Sequence, residues 1–145
     1  MELRELTPFD EQQFLLLIAE SEAEGFRFLA RLRRADTVDT AYLESGHSIV
    51  LGIFDGESLV ATGGLTPDPY LDDPAIGRVR HVYVASAYRR RGLGRQLIAA
   101  LEHRARPRYA LLRLRTDTAR AAAFYEAIGY RPVIADSATH ARGLI

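Results

Sequence analysis

The fold is decided by one stretch near the middle of the chain, which reads Val82-Tyr83-Val84-Ala85-Ser86-Ala87-Tyr88-Arg89-Arg90-Arg91-Gly92-Leu93-Gly94-Arg95-Gln96-Leu97-Ile98. Its first three residues are β-branched or aromatic, which is typical of a buried strand. Small residues, three arginines and two glycines follow. Apolar residues then recur at helical spacing, at Leu93, Leu97, Ile98 and Leu101. The stretch therefore predicts a strand, a glycine-containing loop and the start of a helix.

This arrangement suits the binding of a phosphate group. The first turn of a helix carries unpaired N–H groups and a partial positive charge, and glycines let an anion approach the backbone closely. Four arginines lie within seven residues, at Arg89, Arg90, Arg91 and Arg95. Guanidinium groups donate paired hydrogen bonds that match phosphate oxygens.

Two common phosphate-binding motifs are excluded here. A Walker loop ends in Gly-Lys-Ser/Thr, and the chain contains no lysine. The dinucleotide fingerprint needs a third glycine where Leu97 stands. The pattern that remains, Arg89-x-x-Gly92-x-Gly94 after an apolar strand, resembles the diphosphate loop of the GNAT superfamily of N-acetyltransferases. That loop has the form Arg/Gln-x-x-Gly-x-Gly/Ala and binds acetyl-coenzyme A.

A second resemblance to the same family lies in residues 118–130. GNAT enzymes commonly read Asn-x-x-Ala-x-x-Leu/Phe-Tyr-x-x-x-Gly-Phe/Tyr there, and this chain matches at Ala121, Phe124, Tyr125, Gly129 and Tyr130. Thr118 stands where the family usually has Asn, which weakens the expected side-chain contact to pantetheine, although a hydroxyl can still form a hydrogen bond. The two motifs and the strand between them cover about residues 78–130.

The resemblance implies a set of donor-binding residues. Backbone groups on the strand are expected to hold the pantetheine arm and the thioester oxygen, and the loop is expected to hold the diphosphate. These residues are Val82, Tyr83, Val84, Arg89, Arg90, Arg91, Gly92, Leu93, Gly94, Arg95, Thr118 and Tyr125. The resemblance also implies that Tyr125 is the general acid that protonates the leaving thiolate. The alternative is that Tyr125 is a core aromatic residue, since it also lies on an apolar helix face.

The general base is less clearly indicated. An alkylammonium has a pKa of about 10.4, so on the order of one molecule in a thousand is neutral at pH 7 and a base is needed. Many family members have a glutamate where this chain has Arg78, which cannot act as a base. His81 is the nearest titratable replacement, although it is equally compatible with a partly buried strand residue. Carboxylates or imidazoles acting through water remain open (Asp68, Asp72, Asp73 and His140), and a weakly basic arylamine would need little help.

The whole chain, residues 1–145, is expected to form one GNAT-like domain of the α/β (α+β) class. We expect a mixed sheet of about six to seven strands flanked by about four helices, antiparallel early and parallel around residues 78–116. Asp55-Gly56 predicts a hairpin turn between two strands. A helix is predicted near Phe26 to Arg34, and Thr40 to Glu44 is compatible with one helical turn.

Later in the chain, Tyr109 to Thr116 alternates leucine and arginine, which predicts a strand with one polar face. Thr118 is predicted to cap the next helix, which Gly129 ends, and two short strands are expected to close the chain. The loop from Pro67 to Pro74 is rich in Pro and Asp. It is either a plain connection or a source of carboxylates for a cationic ligand.

Composition narrows the class of protein. The chain has no cysteine, so it has neither disulfides nor thiolate metal sites, and no metal is expected. No apolar run approaches the roughly 20 residues that a membrane helix needs, and the N-terminus is unlike a signal peptide. We therefore expect a cytoplasmic protein with no membrane partner.

The net charge is zero, but the two halves of the chain differ. Residues 1–73 carry fifteen Asp and Glu and five Arg, whereas residues 74–145 carry four Asp and Glu and fourteen Arg. One interpretation is that the halves simply attract each other in the fold. The other is that the basic half binds the anionic donor and the acidic half receives a cationic acceptor.

The sequence thus favours an acetyl-coenzyme A-dependent transferase that acts on a small amine or a protein amino group. A non-catalytic acyl-coenzyme A sensor is the alternative, because Arg78 and Thr118 depart from the family pattern. A nucleic-acid binder is disfavoured, since the net charge is zero and few aromatic residues lie between the arginines. A homodimer is possible, because dimers are frequent in the family.

Overall fold

The computed structural model describes residues 1–34, 37–38 and 48–144. The strands are β1 (Glu2–Glu5), β2 (Arg33–Arg34), β3 (Thr37–Val38), β4 (Ile49–Asp55), β5 (Ser58–Pro67), β6 (Ile76–Val84), β7 (Leu111–Leu114), β8 (Arg131–Pro132) and β9 (His140–Gly143). The helices in this part of the chain are α1 (Glu11–Ala23), α2 (Leu93–Ala105) and α3 (Ala119–Ala127).

Seven of the strands form one mixed sheet in the order β1-β4-β5-β6-β7-β9-β8. Every pairing is antiparallel except the one between β6 and β7, which is parallel. The helix α2 connects these two parallel strands, as a crossover of this kind requires. The remaining two strands, β2 and β3, form a separate antiparallel pair. The predicted mixed sheet, antiparallel early and parallel in the middle, is confirmed.

The hairpin of β4 and β5 forms the centre of the core. Asp55 pairs with Ser58, so the turn consists of Gly56 and Glu57, and Gly56 adopts a φ of 59° that favours glycine. The strand β5 is buried at eight consecutive positions, residues 59–66. Both faces of β5 are therefore covered, by α1 and α2, which both contact this strand.

The two C-terminal helices follow their sequence signals. In α2 the apolar series at 93, 97, 98 and 101 is buried against the sheet. The close approach of α2 to β5 needs a glycine: a Cβ on Gly63 would lie 3.1 Å from Cδ2 of Leu97. In α3 the Oγ1 atom of Thr118 accepts a hydrogen bond from the N–H of Ala121 at 3.1 Å, which is an N-cap. Gly129, with a φ of 106°, follows the helix as predicted.

The helix predicted near residues 26–34 is wrong. The structure has one 3-10 turn there, Ala30–Leu32, followed directly by β2. The apolar residues that suggested a helix are still inward, since Leu29 and Leu32 are buried and Phe28 is partly buried. Their spacing of three fits a 3-10 turn as well as a helix. The described part of the chain consequently has three α-helices, not about four, and the turn predicted at residues 40–44 falls outside it.

Candidate active site

The sheet opens into a cleft between β6 and β7. Their parallel pairing consists of only three residue pairs and ends where Arg78 lies opposite Arg113. The strand β6 continues for six more residues, to Val84, without β7 beside it. The resulting cavity has a volume of about 620 Å³, within the range of small-molecule sites. It therefore offers an unpaired strand edge to an extended ligand.

A β-bulge in β6 shapes this edge. Thr62 pairs with Tyr83 and Gly64 pairs with Arg80, so two residues of β6 lie opposite one residue of β5. The first of these two residues is His81. Its backbone φ angle is 60°, which is uncommon for a residue other than glycine. Bulges bend a strand and redirect its side chains, and such backbone conformations concentrate at functional sites. The bulge lies beside the cavity.

The cavity brings together four of the predicted site residues: His81, Val82, Thr118 and Tyr125. Its remaining described lining comes from the segment after α1, from Tyr70, and from the chain around the ends of β6 and β7. These residues are Gly25, Phe26, Arg27, Phe28, Arg31, Arg78, Val79, Arg80, Leu114, Arg115, Thr116, Asp117 and Ala121. Tyr83, Val84 and residues 89–95 lie outside this lining, although they continue the same strand toward α2.

The loop between β6 and α2 exposes a row of backbone donors. Arg90 and Gly92 have φ angles of 65° and 78°, and α2 begins at Leu93. The first hydrogen bond into the helix joins the N–H of Gln96 to the carbonyl of Gly92 at 3.0 Å. No hydrogen bond joins the backbone N–H groups of residues 90–95 to any described residue. Unpaired N–H groups at the positive end of a helix dipole are chemically suited to accept an anion.

The four arginines of this loop have two different roles. Arg90, Arg91 and Arg95 are exposed, and the guanidinium of Arg91 lies 5.0 Å from the ring centroid of Tyr88. Arg89 instead turns back into the protein. Its Nε donates to the carbonyl of Val84 at 3.1 Å, and its Nη1 donates to Glu24 at 2.9 Å. Three guanidinium groups thus remain free to approach a bound anion.

Sequence reasoning missed a polar cluster that supports this loop from the side of α1. The hydroxyl of Tyr83 donates to Glu20 at 2.6 Å and also to Glu24. Burial, followed by the two carboxylates, raises the pKa of Tyr83. The guanidinium of Arg89, followed by the Tyr83 hydroxyl, lowers the pKa of Glu24. The sequence does contain a signal for this cluster. Glu20 in α1 and Glu24 directly after it are four residues apart, which places them one turn apart on the same helix face.

Tyr125 lines the cleft at the side of α3. It is 8% exposed, and its ring lies edge-on to Phe124 and Tyr130, with centroid distances of 5.1 and 5.5 Å. No hydrogen bond joins its hydroxyl to a described residue. Burial raises the pKa of Tyr125, so the phenol stays protonated at neutral pH and can donate its hydrogen.

A buried cluster of charged residues, Asp68, Arg78 and Arg113, meets the cleft at Arg78. Oδ2 of Asp68 lies 3.3 Å from Nη1 of Arg78 and 3.4 Å from Nη1 of Arg113. The carbonyl of Ser137 accepts from Nη2 of Arg78 and its hydroxyl accepts from Nη2 of Arg113, each at 2.7 Å. Asp68 therefore anchors its proline-rich loop to the sheet. The face of β7 predicted to be polar is buried at Arg113, because Asp68 and Ser137 supply the partners that a buried guanidinium needs.

Three of the candidate general bases, His140, Asp72 and Asp73, do not line the cavity. His140 is buried, with its two ring nitrogens at 2.8 Å from Thr139 and 2.9 Å from Glu126, and it does not line the cavity. Asp72 and Asp73 are exposed in their loop and do not line it either.

His81 is the one predicted base in the described cavity lining. Burial, followed by the charges of Arg80 and Arg31, lowers the pKa of His81 to about 3. The imidazole is therefore neutral over the physiological range.

The described residues contain neither a metal-ligand cluster nor a membrane-spanning helix. No group of three or more His, Asp or Glu side chains there could hold a metal ion. None of the described helices is both long enough and apolar enough to cross a membrane.

The chain resembles many solved structures. A candidate acetyltransferase from Exiguobacterium sp. 255-15 is 27% identical, with a TM-score of 0.81 over 98% of this chain and 92% of that one. A candidate acyl-CoA N-acyltransferase from Klebsiella pneumoniae subsp. pneumoniae is 26% identical, with a TM-score of 0.74 over 99% and 97%. An aminoglycoside 6′-N-acetyltransferase complexed with coenzyme A shares the fold, at 17% identity and a TM-score of 0.77 over 100% and 98%.

A search of curated proteins finds no significant sequence match. The acetyltransferase (GNAT) family, by contrast, matches residues 12–130, which include most of α1, the described cleft lining, the loop before α2 and Tyr125. The fold and both sequence motifs agree with this match. The chain therefore belongs to the GNAT family of acetyltransferases.

Proposed function

We propose that this protein transfers an acetyl group from acetyl-coenzyme A to a primary amine, by direct attack of the amine within a ternary complex. The observation that carries the proposal is the row of backbone N–H groups at residues 90–95, which meets the start of α2 beside an open strand edge. A diphosphate fits the first feature and an amide-containing pantetheine arm fits the second.

The loop would hold the donor by its diphosphate. The N–H groups of residues 90–95 would donate to the phosphate oxygens, and the exposed Arg90, Arg91 and Arg95 would add charge. Arg89 would contribute by fixing the loop, because its side chain is tied to Val84 and Glu24. Its backbone remains part of the loop.

The free edge of β6 would orient the reacting end of the donor. Backbone groups of Val82 to Val84 would pair with the pantetheine amides, and one N–H would donate to the thioester oxygen as negative charge develops there. The hydroxyl oxygen of Thr118 accepts one hydrogen bond in capping α3, which leaves its hydroxyl hydrogen and one lone pair available for a contact to the donor.

His81 and Tyr125 would move the two protons of the reaction. The amine nitrogen attacks the thioester carbon, the new C–N bond forms and the C–S bond breaks. Attack makes the nitrogen far more acidic, so the weakly basic His81 would accept its proton, directly or through water. Tyr125 would donate its hydroxyl hydrogen to the departing sulfur and recover one from solvent.

A non-catalytic acyl-coenzyme A sensor is a second candidate function. It is favoured by the low basicity of His81 beside Arg80 and Arg31. It is also favoured by Arg78, which occupies the position of the family's usual glutamate and is bound to Asp68.

One experiment separates the two functions. Acetyl-coenzyme A is incubated with the protein and a panel of amines, and free thiol is measured. Binding of acetyl-coenzyme A by calorimetry together with amine-dependent thiol release supports the transferase. Binding with no thiol release above the amine-free rate, for every amine in a chemically broad panel, would favour the sensor.

A further inference from the structure

Arginines dominate the charged lining of the cleft. They come from the segment after α1, from β6 and from the chain after β7: Arg27, Arg31, Arg78, Arg80 and Arg115. Among the described lining residues the only acidic side chain is Asp117. This ratio of five to one makes the described part of the lining positive, and low-dielectric walls strengthen such a potential.

Only some of these arginines have counter-ions within the described chain. Arg78 is paired with Asp68, and Arg115 lies 3.5 Å from Asp117. Arg27, Arg31 and Arg80 form no ion pair with a described residue. Glu22 borders the outer end of this region next to Arg27 and Arg31. One carboxylate near three arginines leaves a positive excess.

The unpaired arginines lie where the segment after α1 meets β6 at the cleft. Arg31 and Arg80 both act electrostatically on His81, which places them near the bulge in β6. They are separate from the diphosphate loop at residues 90–95. Phe26 and Phe28, whose ring centroids are 5.6 Å apart, supply an apolar wall beside them. This end of the cleft thus combines cationic donors with aromatic surface.

We propose that the acceptor is an amine that itself carries an anionic group, in the simplest case a carboxylate, which Arg31 and Arg80 bind. This inference rests on the proposed function and names its substrate class. Guanidinium groups bind carboxylate and phosphate oxygens with paired, charge-assisted hydrogen bonds. A purely cationic amine would meet uncompensated positive charge instead.

The acidic half of the chain does not supply a cationic-amine site in the described residues. Four of its carboxylates are bound away from the cleft lining: Asp10 to Arg4 at 2.8 Å, Glu5 to Arg104 at 3.2 Å, Glu24 to Arg89, and Asp55 to the hydroxyl of Tyr88 at 2.6 Å. The described cleft lining thus has the opposite sign to a site for cations.

An anionic acceptor would also assist the chemistry. The positive charges of Arg31 and Arg80 contribute to the lowered pKa of His81, after burial. An anion bound to these two arginines would offset their charge and so make His81 more basic when the acceptor is present. Substrate binding and proton removal would then be coupled through the same two side chains.

The test compares amines that carry an anionic group with close analogues that lack it. L-Phenylalanine, L-leucine and 4-aminobutyrate are each paired with the corresponding amide, and phosphoethanolamine is paired with ethanolamine. Binding to the complex with coenzyme A is measured by calorimetry, and turnover is measured by thiol release. In at least one pair we expect the anionic member to bind about tenfold more tightly and to react with a higher kcat/KM.

Arg31→Gln and Arg80→Gln test the assignment to these two residues. We expect each variant to reduce the preference for the anionic member severalfold and to leave KM for acetyl-coenzyme A unchanged. Arg131→Gln is the control, because Arg131 is exposed on β8, away from the cleft, and should retain the wild-type preference. A higher KM for acetyl-coenzyme A in the two cleft variants would assign these arginines to the donor and overturn the proposal.

The calorimetric comparison separates this inference from the proposed function. Equal or tighter binding of the neutral and cationic members in every pair would contradict an anionic acceptor, whether or not turnover occurs. Tighter binding of the anionic members without thiol release from any of them would support the acceptor class and contradict the transferase.

Discussion

A Cβ atom on Gly94 would lie 3.3 Å from Cζ of Phe124, so the first turn of α2 rests against an aromatic ring of α3. The two GNAT-like motifs of the sequence therefore touch at this point. A glycine here lets the helix start, with its free N–H groups, approach the helix that carries Tyr125. Enlarging residue 94 would separate the two.

We expect Gly94→Val to weaken acetyl-coenzyme A binding about tenfold, since the ring of Phe124 must move and α2 shifts with its N–H groups. Calorimetry measures the Kd. The matched control is Gly143→Ala, because a Cβ on Gly143 meets no atom within 4 Å. A wild-type Kd in a folded Gly94→Val protein would show that the diphosphate is held elsewhere.

Tyr125→Phe is expected to lower kcat about tenfold or more and to leave the affinity for acetyl-coenzyme A nearly unchanged. Removing the hydroxyl removes the proton donor for the thiolate, whereas the ring still packs between Phe124 and Tyr130. Tyr109→Phe is a control at another buried tyrosine, which does not line the cleft. An unchanged kcat in Tyr125→Phe would refute the role of the hydroxyl.

Asp68→Asn is expected to destabilise the fold by about 3–5 kcal/mol, because it leaves two buried guanidinium groups without their shared counter-ion. Urea unfolding measures the free energy. Asp72→Asn, in the same loop but exposed, should change the free energy by less than about 0.5 kcal/mol. Similar values for the two variants would mean that the buried cluster contributes little to stability.

The low pKa of His81 makes stability depend on pH. The unfolded histidine has a pKa of about 6.5, whereas in the folded protein it is lowered to about 3. Below pH 6.5 the unfolded state binds the extra proton, so His81 causes stability to fall as the pH decreases from about 6.5 to about 3. At higher pH this effect is absent.

We therefore expect His81→Asn to flatten the fall in unfolding free energy between pH 7 and pH 4. Asparagine tolerates the positive φ at this position, so the bulge can persist. Urea unfolding at several pH values measures the slope. His103→Asn, at an exposed position on α2, is the control and should keep the wild-type slope. The same slope in His81→Asn and wild type would contradict a buried, neutral His81.

Local signals in the sequence predicted the parts of the fold that local chemistry determines. The Asp55-Gly56 hairpin, the cap at Thr118 and the strand–loop–helix unit at residues 82–98 are confirmed. Each depends on a few adjacent residues with strong backbone preferences. The segment near residues 26–34 has no such signal, and its apolar spacing did not distinguish a helix from a 3-10 turn.

Contacts between distant residues could not be predicted in this way. Asp68, Arg78 and Arg113 are separated by 10 to 45 positions, and the registers of β5 with β6 and of β6 with β7 bring them together. The sequence also did not predict that arginines dominate the charged residues of the described cleft lining. The acidic first half of the chain contributes Arg27 and Arg31 to the described cleft lining, whereas its Asp10 and Glu5 pair with arginines outside that lining.

The central claim is that the N–H groups of residues 90–95 hold a diphosphate, and one NMR titration tests it most directly. Backbone amide signals are followed as coenzyme A or pantetheine, which lacks the diphosphate, is added. We predict that coenzyme A shifts the signals of residues 90–95 strongly and that pantetheine leaves them nearly in place. Amide signals at 90–95 that stay fixed with coenzyme A, or that move equally with pantetheine, would contradict the account.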